Sequence, residues 1–312
     1  MKYPKVYVIV LNYIKWEDSW DCIISLLAST YEHFSILMVD NCSENNSLER
    51  LTALMDENFK DRFACNLIQK RDLEANYAPA DLAKITFIQN DENTGFAAGN
   101  NLALDFIKDE DAFVWLLNPD MTVRNDTLDR MVQYALKQDL RAIVGAEVRI
   151  SGGEDVFFYG GSRIDAFKAK SVFITEANET ELLDTISGSC LFTHLSNFKL
   201  QGLLPEDYFL FWEETDWCYG AKLKGYQLMI CDGAVCYVKV SSTIGKGFLS
   251  DYYYVRNGLY FVSKYNKGKL PFVFLFSTIR YIKRMMTGQW GRAKGVYKGT
   301  IDFCLSKKGR GH

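Results

Sequence analysis

Histidine is nearly missing from this chain: three in 312 residues, at His33, His194 and His312, too scattered for a zinc site. Eight cysteines are present, yet none forms a Cys-x-x-Cys pair and their spacing gives no disulfide framework. Several, such as Cys22 and Cys190, sit in apolar runs, so they read as reduced, buried thiols in a cytoplasmic protein. No apolar run approaches the ~20 residues of a membrane-crossing helix; the longest, Leu270–Ile279, is about half that length. The amino end passes from Lys2-Tyr-Pro-Lys5 straight into a strand-like run, so no export signal is expected. An overall excess of one charge sign is also lacking, with 36 Lys and Arg against 39 Asp and Glu, and no recognition motif points to nucleic acid. With 48% hydrophobic and 24% charged residues the chain is an ordinary globular one.

What charge there is lies unevenly. From Lys264 to His312 there are twelve Lys or Arg and one acid, Asp302, leaving 24 basic and 38 acidic residues elsewhere. An acidic body therefore ends in a basic, aromatic tail. Within the tail, Leu270–Met286 sets Arg280, Lys283 and Arg284 around Phe276, Ile279 and Ile282, the pattern of an amphipathic helix. Such a helix can lie on an anionic leaflet or pack against a second subunit or the body.

The body is organised around Ala112-Phe-Val-Trp-Leu-Leu-Asn-Pro-Asp120. Six apolar residues in a row predict a strand buried on both faces, and Pro119 must end it. Asp120 is thereby set at the carboxyl end of a central strand, where open α/β sheets bind ligands. A lone carboxylate beside Asn118 suits Mg²⁺ or Mn²⁺, which complete their shells with water and phosphate oxygens. The same residues also suit a turn that caps the helix predicted over 126–137.

Two earlier runs follow the same pattern. Val6–Leu11 ends in Asn12-Tyr13, and Ser35–Val39 ends in Asp40-Asn-Cys-Ser43, so polar groups gather on one rim, as a ribose or base would need. Residues 47–84 read as a helical insertion, too long for a plain connection. After a strand at Ile85–Asn90 comes Asn93-Thr-Gly95-Phe96-Ala-Ala-Gly-Asn100-Asn101, small residues opening a helix whose start could approach a phosphate. Between Glu147 and Thr185 the chain turns Gly-, Phe- and Tyr-rich, which predicts hairpins over the sheet. Strand character returns at Ser187-Gly188-Ser189-Cys-Leu-Phe192.

The second chemical feature is Tyr208-Phe-Leu-Phe-Trp212-Glu213-Glu214-Thr-Asp216-Trp217. Adjacent carboxylates among aromatics gain proton affinity, as a general base requires. The acids also suit the first turn of a helix that stops at Gly225.

Six pieces in register resemble the family 2 glycosyltransferases, in particular their rhamnosyltransferase-like branch in bacterial surface-glycan synthesis. They are Val10–Tyr13, Val39–Ser43, Asn93–Asn101, Leu116–Asp120, Gly188–Phe192 and Glu213–Cys218. The resemblance implies an α/β fold of the GT-A kind over about 1–263, with a nucleotide half to about 120, an acceptor half beyond it and the tail from 264 as an appendage. It implies inverting transfer from a UDP- or dTDP-sugar to a glycan, glycolipid or glycoprotein hydroxyl, at the inner face of the plasma membrane. Carried over by position, Asn12, Tyr13, Asp40, Asn41 and Ser43 would serve the nucleoside, and Asn93, Gly95, Phe96, Asn100 and Asn101 would lie beside it. Asn118, Gly188, Ser189 and Trp212 would complete the nucleotide-sugar site, Asp120 would hold Mn²⁺ or Mg²⁺, and Glu214 would be the base. Glu213 is the alternative base and Asp216 an orienting acid. Two positions depart from the family: Val238 stands where a His is usual, and Gly220 replaces an Arg. They leave open a non-catalytic partner that binds nucleotide-sugar or glycan.

Overall fold

The computed structural model describes residues 3–239 and 247–311. Apolar runs become strands β1 (Lys5–Asn12) and β2 (Phe34–Asp40), joined by α1 (Trp16–Leu27). After α2 (Ser47–Phe59) come β3 (Cys65–Gln69), α3 (Lys70–Asn76), β4 (Ile85–Gln89), α4 (Gly95–Ile107) and β5 (Ala112–Leu117). These five strands pair in parallel in the order β3-β4-β2-β1-β5. The predicted helical insertion at 47–84 therefore contains an edge strand. Of β3 only Ile68 is buried, so one-sided burial at a sheet edge left little periodicity to read.

Past β5 the chain makes β6 (Met121–Val123), α5 (Thr127–Ala135), β7 (Ala142–Ile150) and β8 (Val156–Tyr159). Three short strands, β9 (Gly161–Asp165), β10 (Lys170–Phe173) and β11 (Thr185–Ile186), form a separate antiparallel sheet, as the hairpin reading expects. β12 (Cys190–His194) then inserts antiparallel between β5 and β7, followed by α6 (Ser196–Gln201), α7 (Glu213–Leu223) and β13 (Gln227–Val238). The main sheet runs on as β5-β12-β7-β13-β6, with β8 on β7. Two apolar layers sandwich it, one on Val8, Trp115 and Phe192, the other on Ile9, Leu116 and Leu191. That is why the central strands read as unbroken apolar runs.

The carboxyl end of the chain is α8 (Phe248–Tyr265), α9 (Leu270–Met286) and α10 (Trp290–Cys304). A boundary at 263/264 falls inside α8, so the tail is not a separate appendage. Gly295 and Gly299 of α10 have no side chain to hold them off the α8 backbone at Phe248 and Tyr252. Beyond α10, Gly309 donates its N–H to the Asp207 carbonyl at 2.7 Å, and Tyr253 donates its hydroxyl to the Arg310 carbonyl at 2.8 Å.

Candidate active site

The ends of β1, β2 and β4 meet on one rim, and their polar groups bond to one another. Asp40 is buried and accepts four hydrogen bonds: Asn12 Nδ2 at 2.6 Å, the Ser43 hydroxyl at 2.7 Å, the Ser43 N–H at 2.9 Å and Gln89 Nε2 at 3.1 Å. Asn12 accepts from the Ser19 hydroxyl at 2.8 Å. Asn41, also buried, donates to Asn93 Oδ1 at 3.0 Å and to the Gly95 carbonyl at 3.2 Å, and accepts from Asn90 at 3.0 Å. Tyr13 stands exposed on the turn after β1.

The start of α4 is likewise engaged from within. The Thr94 N–H donates to Asn41 Oδ1 at 3.2 Å, the Gly95 N–H to Asn93 Oδ1 at 3.0 Å and the Phe96 N–H to the Phe209 carbonyl at 2.8 Å. Gly95, at φ 85°, lets the Phe209 backbone come this close; any Cβ there would collide with it. The small residues here thus admit another chain segment, the backbone of Phe209. Asn100 donates to the Phe96 carbonyl at 2.9 Å. Asn101 clamps the 204–206 loop, donating to the Leu204 carbonyl and to Glu206 Oε1 at 2.8 Å each.

At the end of β5 the Asn118 N–H donates to the Ser189 carbonyl at 3.1 Å, and the turn closes from Met121 N–H to the Asn118 carbonyl. Asn118, Ser189, Gly188, Phe96, Trp212 and the acid pair line one cavity of about 380 Å³, together with Ser171, Phe173 and Tyr254. Seven sequence-predicted residues are thereby brought together. The rim residues Asn12, Asp40 and Asn41 do not line this cavity, and neither does Asp120.

The charged neighbours of Asp120 are Asp18 of α1 and Lys239. Burial pushes its carboxyl up to about 6, and Asp18 adds to the rise while Lys239 opposes it. Its Oδ1 is buried without a hydrogen-bond partner. Lys239 donates its backbone N–H to the Asp120 carbonyl at 3.2 Å, while Val238 faces Met121 across the ladder. The Lys239 ammonium is held by Asp18 at 3.0 Å and Asp21 at 2.5 Å. Among the described residues no group of three His, Cys, Asp or Glu is placed to hold a metal. An orphaned carboxylate oxygen still fits a cation whose other ligands are water and a diphosphate.

Glu213 and Glu214 begin α7, after a loop with unusual backbone. Phe209, Phe211 and Trp212 all have positive φ, at 65°, 65° and 78°. Such conformations are costly for residues with side chains and persist only under external restraint. Here α8 supplies it. Asn257 donates to the carbonyls of Tyr208 at 2.8 Å, Leu210 at 2.7 Å and Phe211 at 3.1 Å. Arg256, fully buried, donates to the carbonyls of Tyr208 at 2.9 Å and Gly309 at 2.8 Å, its guanidinium 5.2 Å from the Tyr252 ring centroid and 5.0 Å from that of Tyr253.

The two glutamates differ. Glu213 is buried with Oε2 unpartnered, and burial, with Glu214 beside it, drives its carboxyl well above the ordinary range. Glu214 is half-buried on the cavity; burial raises it too, against N–H donors at the helix start. Gly188 makes room for it, since a Cβ there would lie 3.1 Å from the Phe96 ring and 3.2 Å from Glu214 Cγ. Asp216 takes Tyr208 Oη at 2.8 Å, Lys264 Nζ at 2.8 Å and the Tyr265 hydroxyl. That acid ties α7 to α8 and is turned away from the cavity chemistry.

Sequence reasoning passed over Arg256 and Asn257. The available signal was an Arg-Asn pair inside the aromatic run Tyr252–Phe261, where a polar group needs a buried partner.

A model of the family described as Glycosyl transferase family 2 matches residues 7–197. The low-salt glycan biosynthesis hexosyltransferase Agl10 of Haloferax volcanii is 24% identical over 154 residues, 47% of this chain and 49% of Agl10. The chain thus spans about half the length of that relative. Among solved structures, the mannosyltransferase PcManGT of Pyrobaculum calidifontis, in complex with GDP-Man and Mn²⁺, aligns with a TM-score of 0.60 at 14% identity over 98% of this chain and 89% of its own. TarS of S. aureus gives 0.53 at 16% identity over 83% of this chain and 40% of its own. At such identities the likeness speaks for the fold.

Proposed function

The chain belongs to glycosyl transferase family 2 and carries the GT-A fold, and from that premise we propose that it moves a hexosyl or deoxyhexosyl group from a nucleoside-diphosphate donor to an acceptor hydroxyl with inversion. The observation that carries this reading is the acid pair on the wall of a cavity also bordered by Asn118, Gly188 and Ser189. Glu214 is the base. Its half-exposed carboxylate takes the proton as the acceptor oxygen attacks the anomeric carbon, and the bond from that carbon to the diphosphate oxygen breaks with its electron pair on the diphosphate. Burial raises the proton affinity of Glu214, and burial with the charge of Glu214 beside it raises that of Glu213, which suits proton abstraction by the wall. Trp212 and Phe96 exclude water from the same space.

Asp120, with its unpartnered oxygen, would hold Mn²⁺ or Mg²⁺, whose chemistry when bound is to offset charge on the departing diphosphate. PcManGT is solved with GDP-Man and Mn²⁺ and TarS 1-349 with UDP-GlcNAc, which supports a nucleotide-sugar donor of unspecified base. The acceptor is a glycan or a lipid-linked glycan, and the enzyme works at the cytoplasmic face of a membrane. Among the described residues no helix is long and apolar enough to cross one.

A second reading, a non-catalytic binder that supports another transferase, is favoured by one observation. Lys239 donates its backbone N–H to the Asp120 carbonyl, its ammonium is engaged by Asp18 and Asp21, and among the described residues no group of three His, Cys, Asp or Glu is placed to hold a metal. One experiment separates the two. UDP-, GDP- and dTDP-sugars are incubated with and without Mn²⁺, and released nucleoside diphosphate is measured. Release by the wild type and its loss in Glu214→Gln support the transferase. Donor binding without release in any condition supports the binder.

A further inference from the structure

We propose that the cleft between the β9–β10 turn and α9 seats the diphosphate headgroup of a long-chain lipid, whose chain lies along α9, and, resting on the transferase reading above, that this diphosphate links the lipid to the acceptor glycan. The cleft has a volume of about 270 Å³ and is lined by Lys168, Lys170, Arg280, Lys283 and Arg284. Two acids answer these five cations: Asp165 pairs with Lys168 at 3.2 Å and Asp251 with Arg284 at 3.4 Å. Lys170 and Lys283 are exposed and meet no carboxylate among the described residues, and the Arg284 Nε is buried without a partner. An excess of about three positive charges matches a diphosphate better than the single charge of a phosphodiester headgroup.

The wall beside the cleft is apolar. Phe272, Leu275, Ile279, Ile282 and Met286 recur at helical spacing along α9, all about half-exposed or more. Ile279 also lines the cleft, so stripe and cations are continuous. Phe167, exposed at the tip of the β9–β10 turn, meets Phe272 edge to face at 5.3 Å. Exposed aromatics and aliphatics bordered by unpaired lysines are the surface of a helix lying in a headgroup layer.

Position gives the site its purpose. Lys170 lines the cleft and the next residue, Ser171, lines the acid-pair cavity. Arg280 lies over the ring of Tyr254 at 4.9 Å, and the Tyr254 hydroxyl accepts the Ser171 N–H at 3.3 Å; Tyr254 and Ser171 both line that cavity. One residue layer separates the two spaces. A diphosphate held in the cleft would present the first sugars of its glycan toward Glu214.

The test is co-sedimentation of the full chain with phosphatidylcholine vesicles carrying a long-chain polyprenyl diphosphate. Controls are phosphatidylcholine alone and vesicles with phosphatidylglycerol at matched surface charge. Expected is binding at least tenfold tighter than to phosphatidylcholine and several-fold tighter than to the charge-matched vesicles. K170E/K283E should fall to the phosphatidylcholine level, and I279E/I282E should weaken binding, both with unchanged thermal unfolding and unchanged binding of nucleoside diphosphate. Equal binding to charge-matched vesicles, no binding at all, or wild-type binding by K170E/K283E would overturn the proposal. So would full displacement by millimolar inorganic pyrophosphate with no contribution from the stripe variants, which means a soluble-anion site. Absence of sugar transfer with vesicle binding intact would count against the transferase reading and leave the lipid site standing.

Discussion

On the β1–β2–β4 rim, Asn12 donates to Asp40 at 2.6 Å, while Asn41 donates to the Gly95 carbonyl at 3.2 Å and accepts from Asn90 at 3.0 Å, with positive φ at Ile14 and Cys42 in the turns that follow β1 and β2. Across the sheet, the wall that carries Glu213 and Glu214 follows three residues with positive φ, and its polar partners come from a helix more than forty positions later. The rim's bonds also reach 28 to 52 positions along the chain, but they join the ends of adjacent strands of one sheet and the turn after β4. The wall exists because α8 and the last residues of the chain hold it there. Charge is distributed to match: the rim carboxylate is saturated by donors, whereas Glu213 Oε2 and Asp120 Oδ1 are buried and unpartnered. Unsatisfied buried carboxyls are destabilising, and they persist where a bound ligand or a moving proton completes them.

The largest expected effect of breaking this contrast is at Glu214. Glu214→Gln keeps shape and removes the base, so sugar transfer should fall by roughly 10²–10⁴-fold with circular dichroism and melting unchanged. Wild-type turnover in that protein would move the base elsewhere on the wall. Next comes Arg256→Met, which removes the buried guanidinium, takes the side-chain donor from the Gly309 carbonyl and leaves the Tyr208 carbonyl with Asn257 alone. A loss of about 1–3 kcal/mol in denaturant unfolding is expected, as for buried acceptors that lose a charged donor. Activity should fall further than stability predicts, because the loop bearing the acids relaxes. A variant with normal kcat at full folded fraction would show the loop to be held without α8.

Asp40→Asn sharpens the comparison from the other side. The amide keeps the size but clashes donor against donor with Asn12 or Ser43, at a cost of about 1–3 kcal/mol. The effect should appear in unfolding and in nucleotide affinity together, read by calorimetry. Weakened nucleotide binding with unchanged stability would mean that Asp40 opens to meet the ligand directly.

The contrast also explains what was legible in the chain. Buried parallel strands announce themselves as unbroken apolar runs, so β1, β2 and β5 and the polar ends they carry were readable by position. The acid pair was readable because carboxylates among aromatics are rare for a physical reason. What the local pattern could not convey was which donors are already used. Nothing in Asn93–Asn101 says that the Phe209 carbonyl, more than a hundred residues on, will occupy the helix start, or that Asn101 will clamp the 204–206 loop. For the same reason the basic tail read as an appendage. Its contacts with Asp207 and Tyr208 are long-range, and Arg256, the residue that links them, hides in an aromatic helix.

The smallest effect concerns Glu213, and its sign is opposite to the others. Burial and Glu214 raise its carboxyl above the ordinary glutamate value, so the folded state holds its proton more tightly than the unfolded one. In the unfolded chain the group ionises near its usual ~4.3, and above that pH the folded protein bears a growing cost for either keeping the proton or burying the charge. Stability from this site is therefore greatest at low pH and declines as pH rises above the unfolded value. Glu213→Gln removes the titration while preserving volume. It should melt a few degrees higher than wild type at pH 8, and the advantage should shrink as pH approaches 4. A melting difference independent of pH would mean that Glu213 finds a donor in solution. The wall would then be as internally satisfied as the rim.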